Sequence, residues 1–345
     1  MVLGRDVAMT VGPRNLITDV AGLTVGNAAD SDLLSGVTVV VPKAPAVAAA
    51  DIRGGAPATR DMDGLVAGRL VERVHGLVFS GGSGFGLDAG GGLQAWLAAR
   101  GRGLAFGGAV VPVVPTAILF DLTNGGDKTW GDTPPYRALG QAAAAAAGAD
   151  FALGNAGAGM GATAGALKGG LGSVSWVYDQ PAGPPVTVGA LAAVNPMGAV
   201  VTPDDQGFWA APYAQAGELG APTPLGPVGG DLSLPAAGGG THTTLVAVAT
   251  DAILTKTQAL RVAIMAQDGL ARAIRPVHSP FDGDVVVCLS TEKVAIGDDP
   301  WAVAQLGHVA ADCVAGAVAR GVYAAEAVGR WPSYRGRLNN AGATK

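Results

Sequence analysis

Cysteine, aromatic residues and charge are all scarce in this chain. Its 345 residues include 2 cysteines, 5% aromatic and 14% charged residues. Cys288 and Cys313 sit in apolar runs (VVVCLST and AADCVAGAV) far from metal-ligand spacing, so they read as buried thiols, with a disulfide as the alternative. No window of about 18 apolar residues runs without a charge or a Gly or Pro break, which argues against a membrane span. No basic cluster occurs, and 22 Lys and Arg against 27 Asp and Glu leave a net charge of −5, which argues against nucleic acid as a partner. The opening MVLGRDVAMTVGPRNLITDV lacks the series of a secretory signal, so a cytoplasmic location is expected. The G-x-S-x-G elbow and the G-x-x-x-x-G-K-[ST] loop are missing too. The four histidines do not assemble a Ser-His-Asp set, and His75 and His308, inside apolar patterns, read as structural.

Glycine is present in excess: 55 of 345 residues, or about 16%, roughly twice the usual ~7%. Collagen is excluded by the missing G-X-Y period, and disorder by 49% hydrophobic residues and a small net charge. The chain is long enough to bury a sizeable core without disulfides or structural metal.

β-Rich runs alternate with helical patterns. Residues 15–27 and 35–45 read as strands, 61–73 as a helix, 74–80 as a buried strand, and 81–101 as a glycine-rich turn entering a helix. An apolar strand region follows over 110–122, then an alanine-rich helix over 138–149. Residues 154–173 carry too much glycine for a stable helix or strand, and two strands come next. Residues 203–240, rich in Gly, Pro and Ala, read as a linker. Beyond it, LVAVA predicts a buried strand, Thr255 an N-cap for a helix, 282–291 a strand, and Asp298 or Asp299 with Pro300 the start of a long closing helix. The alternation predicts an α/β (α+β) architecture of layered sheets covered by helices, spanning 1–345 as one domain.

Three places could carry chemistry. In GGG-Thr241-His242-Thr243-Thr244, a flexible glycine stretch (Gly238 to Gly240) delivers hydroxyls to the mouth of a buried strand. An enzyme that makes its nucleophile by cutting its own chain needs that arrangement, because the new α-amine then serves as base for the same hydroxyl. A Thr-rich strand edge is the alternative. Asp282-Gly283-Asp284 places two carboxylates on one side of a pleat, able to share a proton or orient an amine. A solvated turn, or a metal site completed by His278, are the alternatives. In the third place, Gly82-Ser83-Gly84-Phe85-Gly86 only imperfectly matches a dinucleotide-binding loop, since Leu87 stands where the last glycine belongs. Such loops better suit close backbone approach to a ligand or to one another. Asn195, at a strand end before Pro196, could donate an amide to an oxyanion or simply form a turn.

Several segments in order, SGGSGFGLDAGGGLQAWL, NAGAGMGAT, KGGLGS, AVNPMGAVV, THTTLVAVATDA and SPFDGDVVVCLST, resemble the self-processing amidohydrolases. That family includes the L-aminopeptidase/D-esterase, the β-peptidyl aminopeptidases and the nylon-oligomer (6-aminohexanoate oligomer) hydrolase. The resemblance covers about residues 15–325. It implies an amino-terminal-nucleophile-like hydrolase with the topology shared with ornithine acetyltransferases, cut between His242 and Thr243 into chains 1–242 and 243–345. Thr243 falls on the family nucleophile, Asn195 on the oxyanion amide, and Asp282 and Asp284 on the pair supporting the new terminus. Three positions depart from the pattern. His242 stands where relatives have Asn or Gly, Phe120 stands where the nylon hydrolase has an aromatic hydroxyl, and the helper lysine aligns on Ala166, with Lys168 two residues later.

The resemblance implies peptide, amino-acid amide or ester, or polyamide-oligomer substrates, no cofactor or metal, and a homo-oligomer of processed αβ units. An acyltransferase using the same acyl-enzyme, or an uncleaved binding or assembly protein, would fit the same residues.

Overall fold

The computed structural model describes residues 8–181, 183–203, 207–215, 217–220, 242–297 and 299–337. The chain opens with β1 (Met9–Val11), β2 (Leu23–Asp30), β3 (Ser35–Pro42), β4 (Ala46–Ile52), β5 (Thr59–Arg60), β6 (Arg73–Val74) and β7 (Leu77–Ser80). Next come α1 (Asp88–Ala98), β8 (Leu104–Phe106), β9 (Ala109–Val111), β10 (Thr116–Ile118) and α2 (Tyr136–Ala145). β11 (Thr163–Ala164), β12 (Leu167–Lys168), β13 (Gly170–Tyr178) and β14 (Val186–Asn195) follow, and the chain closes with β15 (Thr243–Ala252), α3 (Lys256–Ala273), β16 (Val285–Val294) and α4 (Pro300–Ala324).

Two sheets carry the architecture, one ordered β1-β13-β14-β15-β16-β4-β6 and the other β2-β3-β7-β10-β5. Alternation along the strands sets the layers. In β3, Val37, Val39 and Val41 pack on α1 and α2, while Val40 turns inward. In β15, Leu245, Ala247 and Ala249 meet the other sheet, while Val246 and Val248 meet α3 and α4. The result is four layers: α3 and α4, the seven-stranded sheet, the five-stranded sheet, then α1 and α2. β14 and β15 are buried on both faces, and each fully buried Val or Leu side chain contributes about 1.5–3 kcal/mol. Their ends are therefore held firmly, and a residue at such an end has little freedom. Most neighbouring strands are antiparallel, but β15 and β16 run parallel because α3 returns the chain to the end of the sheet where β15 began.

The closing helices form as their caps predict. Thr255 Oγ1 accepts from the Gln258 N–H at 3.2 Å, and Gln258 Oε1 accepts from the Thr255 N–H at 2.8 Å, a reciprocal capping box. Asp299 caps α4 through the Trp301 N–H, with Pro300 in the first turn; Asp298 lies outside the described residues. By length and composition α4 could cross a membrane, yet 72% of its apolar window is buried inside the protein.

Several sequence expectations give way. Rather than a helix, residues 61–73 form a 3-10 turn at Met62–Leu65 and reach β6 at Arg73, because Asp61 and Gly68 adopt left-handed conformations that break the helical path. Residues 15–27 split into a 3-10 turn at Ile17–Asp19 and the start of β2. The glycine-rich stretch 154–173 does hold strand: β13 starts at Gly170. A Cβ at Gly172 would stand 2.0 Å from the Ala317 carbonyl oxygen of α4, so glycine there permits strand and helix backbones to touch. His308 is exposed on α4 and only 3.7 Å from Asp312, a surface pairing rather than a core role. His75 is buried, and its Nδ1 accepts from the Val113 N–H at 3.2 Å. Both cysteines are free and buried. Within the predicted linker, Phe208 is buried against Tyr323 and Tyr334; residues 221–240, with Gly238 to Gly240, and Thr241 lie outside the described residues.

Candidate active site

β14 ends at Asn195 and β15 begins at Thr243, and the antiparallel register sets these two residues opposite each other. By alternation from Leu191 and Ala193, and from Leu245 and Ala247, both face the space between the sheets. Both are buried. Thr243 Oγ1 lies 2.5 Å from the carbonyl oxygen of His242. The N–H of Gly283 donates to that same oxygen at 2.8 Å, and the His242 N–H donates to the Phe281 carbonyl at 2.8 Å. Parallel pairing of β15 with β16 thus continues outward, bringing the Asp-Gly-Asp segment alongside the residue that precedes Thr243.

The Asn195 side chain has one orientation by chemistry. Its Oδ1 accepts from the Thr163 N–H at 2.8 Å, so its Nδ2 must be the group that donates to the Phe120 carbonyl at 3.1 Å. One Nδ2 hydrogen remains for another acceptor. Phe120 thus touches Asn195 through its backbone carbonyl. Asp121, next to it, is fully buried and accepts from Ser35 Oγ at 2.7 Å and from the Gly82 N–H at 2.8 Å. Burial pushes its carboxyl above the usual range, opposed by Lys128, by those two hydrogen bonds and by Lys168. The Gly81-Gly82 turn thus brings a backbone amide to a carboxylate of the chain itself.

The two aspartates come together but are held differently. Asp282 Oδ1 accepts from the Met197 N–H at 3.0 Å, and its Oδ2 accepts from the Ser279 N–H at 3.1 Å and from Ser279 Oγ. Burial, and after it the charge of Asp284, push the Asp282 carboxyl above its ordinary range. Asp284 Oδ1 accepts from the Thr244 N–H at 2.7 Å, while Oδ2 sits 2.8 Å from His278 Nδ1 and 3.2 Å from the His278 backbone nitrogen. Among the described residues no group of three or more His, Cys, Asp or Glu could hold a metal ion, and His278 is engaged with Asp284.

Lys168 is almost completely buried in the hairpin β11–β12, where its Nζ donates to the Gly159 and Gly169 carbonyls at 2.6 and 3.0 Å. Burial pushes its ammonium down to about 7, against a smaller opposing effect of Asp121. Across that hairpin Lys168 pairs with Thr163, the residue that orients Asn195. The lysine is thus tied to the site through a hairpin. His242 is also buried; burial pushes its imidazole below the usual range, with Asp282 and a hydrogen bond to the Asn195 backbone opposing.

Sequence reasoning missed Thr163, Ser279, Asp121 and the orienting contact of His278. Asp121 left a signal, an acid closing the apolar run AILF, since a charge seldom ends such a run without a partner. Ser279 left a weaker one, three residues before Asp282, the spacing of a side-chain turn. The left-handed conformation of His278 left none.

This layering has solved counterparts. The L-aminopeptidase D-Ala-esterase/amidase of Ochrobactrum anthropi, described as a variant of the Ntn hydrolase fold, matches with a TM-score of 0.70 over 96% of each chain at 21% identity. The molecule thus has an Ntn-hydrolase-like fold, mixed sheets layered between helices. More narrowly, the chain belongs to Peptidase family S58, whose sequence profile matches residues 15–332. An uncharacterised aminopeptidase of Mycobacterium tuberculosis is 42% identical over 93% of this chain and 97% of its own. A 6-aminohexanoate-oligomer endohydrolase of Kocuria sp. is 28% identical over 84% of this chain and 79% of its own. Membership makes the chain an amide-bond hydrolase.

Proposed function

We propose that this hydrolase cuts its own chain between His242 and Thr243 and then uses Thr243 as an amino-terminal nucleophile on peptide or oligomeric amides. The contact that carries this reading is the 2.5 Å approach of Thr243 Oγ1 to the His242 carbonyl, with the Gly283 N–H on the same oxygen. In the cut, Thr243 Oγ adds to the His242 carbonyl carbon while the Gly283 N–H holds the developing oxyanion. The C–N bond then breaks, the proton from Oγ passes to the departing nitrogen, and water hydrolyses the resulting ester to free the His242 carboxyl and the Thr243 α-amine.

In the second reaction that amine accepts the Oγ proton as Oγ attacks a substrate carbonyl, and returns it to the leaving amine. The free hydrogen of Asn195 Nδ2, across the sheet from Thr243, suits the oxyanion of this step. Asp282 and Asp284, gathered beside the new terminus, would keep the amine in place and set its basicity. The substrates of the relatives, aminopeptidase and 6-aminohexanoate-oligomer types, suggest a chain of amide units with a free amino end. Lys168 supports this arrangement from behind by bracing the hairpin that orients Asn195.

The test compares wild type with Thr243→Ala on a panel of amino-acid amides and 6-aminohexanoate oligomers. Loss of hydrolysis to background in a variant that melts normally is expected. Retained hydrolysis would refute Thr243 as nucleophile. Transfer of the acyl group to an added amine in preference to water would recast the enzyme as an acyltransferase on the same acyl-enzyme.

A further inference from the structure

His278 enters neither the proposed cut nor the proposed attack, yet its placement is demanding. Its φ is +55°, a left-handed conformation that side-chain-bearing residues rarely adopt. Strain of this kind persists where surrounding contacts over-determine it. Here the contacts are two donors from one residue onto one oxygen, the backbone N–H and ring Nδ1 of His278 on Asp284 Oδ2. The other oxygen of Asp284 takes the N–H of Thr244, the residue next to Thr243. The carboxylate of Asp284 thus joins the His278 loop to the mouth of β15, and the imidazole is the part of that joint which a glycine in the same conformation would lack.

We propose that His278 is a positioning residue for the active site: its imidazole locks Asp284 against the start of β15 and thereby holds the Thr243 terminus in its reactive placement. This rests on the reading of Thr243 as the nucleophile. Nδ1 carries a proton to make this bond, because a carboxylate oxygen can only accept. The imidazole itself takes no part in bond making.

Two substitutions separate the ring from the loop. His278→Gly suits φ +55° and keeps the backbone N–H, so it removes only the Nδ1 donor. His278→Asn also tolerates the left-handed region and offers an amide N–H close to where Nδ1 stood. Both are measured beside wild type and Thr243→Ala, on whichever amide the wild type hydrolyses fastest, with melting curves for each.

The expected result is a kcat about tenfold to hundredfold lower in His278→Gly, with KM changed much less. Asn at 278 should recover most of that loss, and millimolar imidazole should restore part of it to the Gly variant. Normal kcat in His278→Gly alongside an inactive Thr243→Ala would overturn the positioning role while leaving the nucleophile intact. Equal loss in the Gly and Asn variants, with no imidazole rescue, would also overturn it. Activity in Thr243→Ala would instead overturn the reading on which the proposal stands.

Discussion

The backbone N–H of Gly283 lies 2.8 Å from the carbonyl oxygen of His242, the same oxygen that Thr243 Oγ1 approaches to 2.5 Å. A glycine between two aspartates is what lets that donor come so close. A Cβ at 283 would stand 2.7 Å from Thr243 Oγ1 and 2.7 Å from the Ala56 carbonyl. Gly283→Ala is therefore expected to push the hydroxyl and the donor apart and slow chain cleavage by about tenfold or more, which a time course of precursor on denaturing gels would read. Cleavage at the wild-type rate would show that the contact is not needed.

Lys168 makes the stability of the chain depend on pH. Burial pushes its folded-state ammonium down to about 7, whereas an unfolded lysine stays protonated to about 10.4. Between these values the unfolded chain binds more protons, so this group's effect on stability improves as pH rises from about 7 toward about 10, and its burial penalty is fully present below 7. The melting temperature of wild type relative to Lys168→Met should therefore rise between pH 6.5 and pH 9. A difference that stays constant across that range would contradict the buried, easily deprotonated lysine.

The capping box at α3 gives a prediction independent of the chemistry. Thr255→Ala removes the acceptor of the Gln258 N–H and is expected to destabilise the fold by about 1 kcal/mol, read as a shift of the urea midpoint at unchanged slope. No shift would mean that the cap contributes nothing beyond what water supplies.

How much of this was legible in the sequence follows from what each residue's placement depends on. Thr243, Asn195 and the aspartates could be singled out because each stands at the end of an apolar strand or in the turn that opens one, where local pattern marks strand ends, but their expected roles came from the family resemblance. The same holds for α3 and α4, whose caps are local. The helix expected over 61–73 failed because apolar periodicity there competes with Asp61 and Gly68 in left-handed conformations. The glycine-rich start of β13, from Gly170, was hidden because it packs on α4, about 150 residues later, against which Gly172 lies. Thr163 acts on Asn195 across 32 residues of chain, and the contact of His278 with Asp284, though local, depends on a left-handed backbone that the residue type does not announce.

The most direct measurement is amino-terminal sequencing of the purified protein, together with its intact mass. The 33.9 kDa chain should give a second amino terminus reading Thr-Thr-Leu-Val from Thr243 and fragments of about 24 and 10 kDa, apportioned by residue count over 1–242 and 243–345. Thr243→Ala should remain one piece. A wild-type chain that stays intact while hydrolysing amides at full rate would contradict the account, because without the cut Thr243 has no α-amine to act as its base.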